Sequence, residues 1–490
     1  MIEGRNVLNG TTNVRKWIAV GFILLLVEIC ISISTARICD DLDPLVDIEV
    51  TVDIITIRVL DESDVPTNPD FFIQILINSE KYSSPVWNGT SYLYDLHWTA
   101  TLNVPDDNEQ VDITIVVYDE TMDGTDIKTA GYTAEMTYNI KTGYWTGDDS
   151  VGDPSGYGRL KSGDDGNRAR SEREYELWFT IFQTDYDGDG IPYWTEVHMY
   201  GTDPKLDNTG EDLDRDLLPI EWEHQWRYHP LIWDDHDKID NDFDSLTNVE
   251  EYRVSSWDSD PYRRDLFIEI DVMAEGPLGQ NSTVPSRAKE LLKTAFHRHN
   301  IVVHLDDGCM GGGGEIIPFD QETYRYELRT LYKTYFLKND SENWRRSVFR
   351  YAMIIFQQKV AAAVAYVGEH PWLYWHAHGI NTFVISAQSM QKKSQNTNKS
   401  LDFIFACVMM HETGHTFGID FMFPPGCDNT RTAQPHTFAY WLFRNYKSCM
   451  NYRYTYSLLD YSDGSHGTFD YDDWGNLDFS FFEKKIIYKC

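Results

Sequence analysis

The sequence predicts a multidomain chain: an N-terminal all-β sandwich, a spacer of calcium-loop repeats and a C-terminal α/β domain. Three observations carry this prediction. Apolar and polar residues alternate at strand period between Leu45 and Phe182. An Asp-x-Asp-x-Asp unit recurs between Asp185 and Glu251. After Pro261, strand-length apolar runs interleave with helical periodicity and lead into His411-Glu412-Thr413-Gly414-His415. At 490 residues the chain exceeds one core. The expected segments are 1–36 (leader), 37–182 (sandwich), 183–260 (repeats) and 261–490 (α/β domain).

Arg15 and Lys16 precede an apolar run from Trp17 to Ile33, broken by Glu28, and Ser34-Thr35-Ala36 supplies small residues for cleavage. This predicts a signal peptide and a secreted or cell-surface protein. A retained membrane anchor is the alternative, since the run approaches spanning length. The net charge of −36 opposes nucleic-acid binding, because a phosphate backbone needs a basic surface, and suits a chain that binds cations.

In the sandwich, strands are expected at Val50–Leu60, Phe71–Ile77 and Val111–Tyr118, with an exposed loop from Thr146 to Arg173. Asp119, Glu120, Asp123 and Asp126 cluster after one strand. The region loosely resembles a C2 domain, which implies a possible lipid partner; a plain solvated acidic loop is the alternative.

Asp185, Asp187, Asp189, Gly190 and Glu196 occupy positions 1, 3, 5, 6 and 12 of an EF-hand-type loop. Hard oxygen donors at this spacing wrap Ca²⁺, and the glycine permits the sharp turn. Asp212, Asp214, Asp216 and Glu223 repeat the pattern with Leu217 at the glycine position. Asp240, Asp242, Asp244 and Glu251 repeat it with Ser245 there. The first loop is therefore expected to bind more tightly than the other two. With Gly201-Thr202-Asp203-Pro204 between loops, the segment resembles thrombospondin type 3 repeats.

The C-terminal domain reads as strand Leu266–Asp271, helix Ser286–His297, and strands Ile301–Asp306, Val348–Phe356, Val360–Val367 and Thr382–Ser386, before a final helix. Ser400 is placed to cap that helix and Asp402 to sit in its first turn. Phe403, Ala406, Cys407 and Met410 form an apolar stripe along it. One helical turn brings His411 and His415 onto one face, where both imidazoles can hold Zn²⁺ while Glu412 serves as general base. Gly418 can end the helix in a left-handed turn. Gly311–Gly314 is read as a structural loop, and His376 and His378 as ordinary histidines.

With Ser448-Cys449-Met450-Asn451-Tyr452 downstream, this region resembles the metzincin clan of zinc peptidases. The resemblance implies that Met450 forms the Met-turn under the metal and that Tyr452 steadies the tetrahedral intermediate. It also implies that Val360–Val367 is an edge strand aligning a peptide substrate. The clan's third zinc ligand falls at Phe421, which cannot bind metal. Asp420 is the first alternative, then Asp428, then His436. The acidic tail Leu459–Phe482 resembles that of uncharacterised secreted archaeal metzincin-like proteins, and is expected to line the cleft or bind calcium.

Loss of the leader removes Cys30 and leaves Cys39, Cys309, Cys407, Cys427, Cys449 and Cys490. Cys427 and Cys449 are the pair expected first, and Cys407 a buried thiol. The expected function is a secreted, calcium-stabilised zinc endopeptidase acting on peptide or protein. The rival expectation is a calcium-dependent surface adhesion protein with a degenerate protease domain.

Overall fold

The computed structural model describes residues 48–59, 69–94, 96–105, 108–120, 127–150, 152, 157–161, 175–359, 361–366, 382–420, 423–428 and 430–481. The expected leader, Cys39, Cys490, Asp123, Asp126, His376, His378 and Phe421 lie outside these residues. Among the described residues no helix is long and apolar enough to cross a membrane.

Two antiparallel sheets form the N-terminal region. In one, Glu49–Val59 lies between Tyr175–Gln183 and the strands Tyr92–Leu93 and Trp98–Asn103, and Tyr157–Lys161 completes the edge. The other runs Glu80–Ser83, Phe71–Ile77, Gln110–Glu120, Ile127–Asn139, Tyr144–Gly147. Strict alternation buries one face of Phe71–Ile77 against the facing sheet. Val50, Val52, Ile54, Ile73, Ile75, Ile113 and Ile115 share the resulting core. The stretch expected as one loop from Thr146 to Arg173 contains the strand Tyr157–Lys161, because Leu160 is buried and its backbone pairs with Leu177.

The C-terminal domain is mixed α/β. Val302–Asp306, Asp265–Met273, Phe349–Ile355 and Thr382–Ser386 are parallel neighbours, and Ala363–Tyr366 closes the edge antiparallel to Thr382–Ser386. Of the expected strand Val360–Val367, Ala363–Tyr366 is the described part, while Val360 and Val367 lie outside the described residues. Helices Arg325–Leu331 and Ala387–Thr397 add elements that the apolar pattern did not announce. The helix Leu401–Thr416 is buried on every face from Ile404 onward instead of carrying a single stripe. The sheet and Ser286–His297 cover one side, while Tyr461 and Phe479 of the C-terminal tail join the same core.

Cys309, Cys407, Cys427 and Cys449 are all free thiols, so the expected Cys427–Cys449 bond is not made. Both sulfurs enter the apolar core, and burial pushes both thiols well above their ordinary range.

The sandwich docks on the α/β domain through Ile55, Trp178 and Val302. Beside them the fully buried Glu176 is held by Arg58 and Arg159, with His297 of the α/β domain 3.8 Å away.

Candidate metal centres

Ser400 caps the helix Leu401–Thr416, its hydroxyl accepting from Phe403 N at 3.3 Å. Gly418, at φ +84°, ends it, and a side chain there would meet the Phe481 ring at 3.0 Å. Within the last two turns, His411 donates from Nδ1 to Cys449 O at 2.8 Å and His415 from Nδ1 to Ile419 O at 2.6 Å. A carbonyl can only accept, so a proton sits on each Nδ1, and each Nε2 is the atom left to take up either a metal or a second proton.

Both Nε2 atoms face one carboxylate. His411 Nε2 lies 3.0 Å from Asp428 Oδ1, and His415 Nε2 lies 3.1 Å from Asp428 Oδ2. Asp428 N donates to Met450 O at 3.1 Å, and the residue takes φ +48°; together these turn its side chain toward the histidines. Asp428, ranked second from sequence, is therefore the carboxylate brought to the pair. Asp420 instead exchanges backbone bonds with Phe423, whose amide also reaches Asp420 Oδ1 at 3.3 Å, and His436 is exposed. Two imidazole nitrogens and a carboxylate, with Asp428 Oδ1 buried and lacking a hydrogen-bond partner, are a donor set that fits Zn²⁺.

Burial favours neutrality at this cluster, but mutual attraction outweighs it in the metal-free protein. His415 is pushed up to about 9 by Asp428 against the effect of burial, and His411 also rises. Burial raises the Asp428 carboxyl, yet His415 and His411 hold it well below the usual carboxylate range. Burial pushes Glu412 up to about 7, with the two histidines opposing. Its carboxylate accepts from the backbone N–H of Ala365 on the edge strand, while Oε2 is buried without a partner.

Tyr452 stacks on His411 with ring centroids 5.7 Å apart, and its hydroxyl bonds Asp428. Met450 is fully buried beneath the helix; a Cβ on Gly414 would lie 2.4 Å from its sulfur, so only glycine fits there. The tail serves as packing: Tyr461 donates to Met410 O at 2.6 Å, and Asp473 accepts from Tyr446 at 2.8 Å. A metal-type group of the tail, Asp463, His466 and Asp470, is largely exposed.

The three acidic loops fold alike. The first Asp accepts from the amide three residues on: Gly188 to Asp185 at 2.9 Å, Arg215 to Asp212 at 2.6 Å, Phe243 to Asp240 at 2.8 Å. Its second oxygen takes the amide of Gly190, Leu217 or Ser245. These residues share the left-handed region, at φ +88°, +89° and +78°, so the backbone turns without glycine in the second and third loops. The weaker binding expected of those loops keeps one geometric counterpart, the strain of a non-glycine residue in this region.

In every loop the side chains at the third and twelfth positions are left over. Asp187, Asp214, Asp242, Glu196, Glu223 and Glu251 each bury at least one oxygen with no partner. Burial, then neighbouring acids, pushes Asp187 and Asp214 up to about 6, Glu196 to about 8, Glu223 to about 9 and Asp242 to about 10. Burial, with neighbouring acids, also holds Asp244 and Glu251 well above the ordinary carboxylate range. Such clusters fit a dication. The third loop also ties into the α/β sheet, because Asp265 N donates to Asp244 Oδ2 at 2.7 Å.

Sequence reasoning missed His236. Its Nε2 lies 3.1 Å from Asp216 Oδ2, and Asp216, Glu223 and His236 form a fully buried group. No fixed spacing links a lone histidine between two loops to the loop before it.

No family model and no curated protein sequence matches the chain. Solved structures with partial similarity include human GIVD cytosolic phospholipase A2, at 15% identity over 28% of this chain with a TM-score of 0.19; the match spans only 17% of that protein. A C2 domain of plant extended synaptotagmin 1 matches at 14% identity over 28% of this chain and 96% of its own length, with a TM-score of 0.19. A C2 domain-containing protein from a putative elicitor-responsive gene matches at 16% identity over 27% of this chain and 86% of its own, with a TM-score of 0.18. Likeness at this level assigns neither fold nor function.

Proposed function

We propose that the chain is a metzincin-type zinc endopeptidase, secreted or displayed at the cell surface and stabilised by calcium. The observation that carries this reading is the meeting of His411 Nε2, His415 Nε2 and Asp428 beside the unpartnered Glu412 Oε2. His411, His415 and Asp428 would hold Zn²⁺. When bound, Zn²⁺ supplies Lewis acidity that acidifies water and polarises a scissile carbonyl. The carbonyls of Cys449 and Ile419 keep both imidazoles in the ligating tautomer. Glu412, poised near neutrality, takes the water proton and returns it to the leaving amine. The Tyr452 hydroxyl donates toward the developing oxyanion. The edge strand Ala363–Tyr366 offers backbone groups to an extended peptide, which selects main chain over any one side chain.

The three loops are read as dication sites, filled by Ca²⁺ where the donors are all oxygen, that brace the sandwich against the protease domain. The adhesion reading drew on Phe421; Asp428 supplies a ligand of different origin, which favours the peptidase. A C2-like lipid-binding role for the sandwich rests on Asp119, Glu120, Asp123 and Asp126, whose side chains lie outside the described residues. The direct experiment measures zinc content and casein hydrolysis of the mature chain beside Glu412→Ala. Zinc binding with metal-dependent hydrolysis that Glu412→Ala abolishes is the expected result; a zinc-loaded chain that cleaves nothing supports adhesion instead.

A further inference from the structure

We propose that the second acidic loop binds a first-row transition dication through His236, whereas the first and third bind Ca²⁺. This rests on reading the loops as cation sites and deepens it at one of them. His236 is wholly buried, set edge-on against Tyr228 and Trp222 with centroids 4.8 and 6.1 Å away. Its Nε2 approaches Asp216 Oδ2 at 3.1 Å but has no hydrogen-bond partner. Glu223 is also wholly buried, and neither of its carboxylate oxygens has a partner. One ligand atom from each of Asp216, Glu223 and His236 lies within 4.8 Å of the others.

The imidazole is private to this repeat. The Asp at the fifth position of each loop receives an amide from the chain beyond it: Asn208 on Asp189, Asp234 on Asp216, Asp265 on Asp244. Two residues past those donors stand Gly210, His236 and Phe267. Of these three positions, only that of the second loop carries a nitrogen donor. Calcium takes oxygen ligands, while imidazole beside carboxylates suits Zn²⁺ and its neighbours in the series. The outer contact can hold the required tautomer. Asn248 meets His236 Nδ1 at 2.8 Å through Nδ2, and its Oδ1 is buried without a partner. Turning that amide over places Oδ1 on Nδ1–H and leaves the Nε2 lone pair facing the carboxylates.

The test equilibrates the full chain with Zn²⁺ and excess Ca²⁺ and counts bound metals by mass spectrometry. Two Zn²⁺ and two Ca²⁺ per chain are expected, with His236→Gln losing one zinc and His415→Ala the other. One Zn²⁺ with three Ca²⁺ overturns the proposal and leaves the protease centre standing, as does a second zinc that survives His236→Gln. Zinc unchanged in His415→Ala strikes the protease reading and not this one. If circular dichroism shows that His236→Gln does not fold, Glu223→Gln is used. It should weaken zinc at the second site at least tenfold, and unchanged affinity there overturns the assignment.

Discussion

The helix-borne centre and the acidic loops both gather carboxylates away from water, yet they handle an absent cation in opposite ways. At the centre, Asp428 sits between two imidazoles that can take up protons, so attraction replaces the metal: His415 rises to about 9 and Asp428 falls. In the first and third loops, acids face acids, and a proton relieves them where no cation does; Glu196 and Asp242 rise to about 8 and 10. A site of mixed charge can stand empty at little cost, whereas a site of one sign makes its fold depend on the ion.

The largest effect expected is catalytic. Glu412→Ala should lower peptide hydrolysis by about 10²–10⁴-fold while zinc content and melting temperature stay near those of the parent, because it removes a base and not a ligand. A loss below tenfold breaks the assigned role.

Next comes zinc affinity. Asp428→Ala should weaken zinc binding by at least about 10–100-fold, since losing a ligand exceeds the usual cost of losing an outer-shell partner. Asp420→Ala should leave it nearly unchanged. Dialysis of both variants against a graded chelator checks this, and equal affinities would mean that Asp428 is a neighbour and not a ligand.

The contrast in stability follows. A calcium-selective chelator should lower the melting temperature and open the segment Asp185–Glu251 to proteolysis far more than zinc removal does. The pH dependence has a definite sign. Folded-state values of about 6 to 10 exceed the ordinary carboxylate value of about 4, so the metal-free native state retains protons that the unfolded chain has released. Stability of the calcium-free protein is therefore full below about pH 4 as far as these groups are concerned, falls as pH rises above that, and levels off only once the folded-state values of about 6 to 10 are passed. Calcium should cancel the fall. Melting curves in chelator that do not decline between pH 5 and 9 would remove the distinction between the two kinds of site.

The smallest effect sharpens the comparison among the loops. Leu217 holds φ +89° and is largely exposed, so Leu217→Gly should relieve about 1–3 kcal/mol of backbone strain and tighten metal binding at the second loop. Calorimetry that finds affinity unchanged would show that the metal-loaded loop carries no such strain.

Sequence alone determined the features whose partners lie within a dozen residues. The Asp-x-Asp-x-Asp loops, with Glu196, Glu223 and Glu251 closing them, depend on one local turn. His411, Glu412 and His415 depend on one helical period and Ser400 on one cap. Alternation announced the antiparallel sheets, because each strand buries one face. The all-round burial of the helix Leu401–Thr416 from Ile404 onward was not legible, since such a helix needs the tail to cover it. Tertiary structure decided the rest. Asp428 outcompetes Asp420 through a left-handed residue and a backbone bond to Met450, neither written in local spacing. The free thiols of Cys427 and Cys449, and the arrival of His236 at Asp216, likewise depend on how distant segments pack. Nearby residues meet because covalent geometry leaves them few ways to avoid one another; distant ones meet only where the whole core makes that arrangement the lowest in free energy.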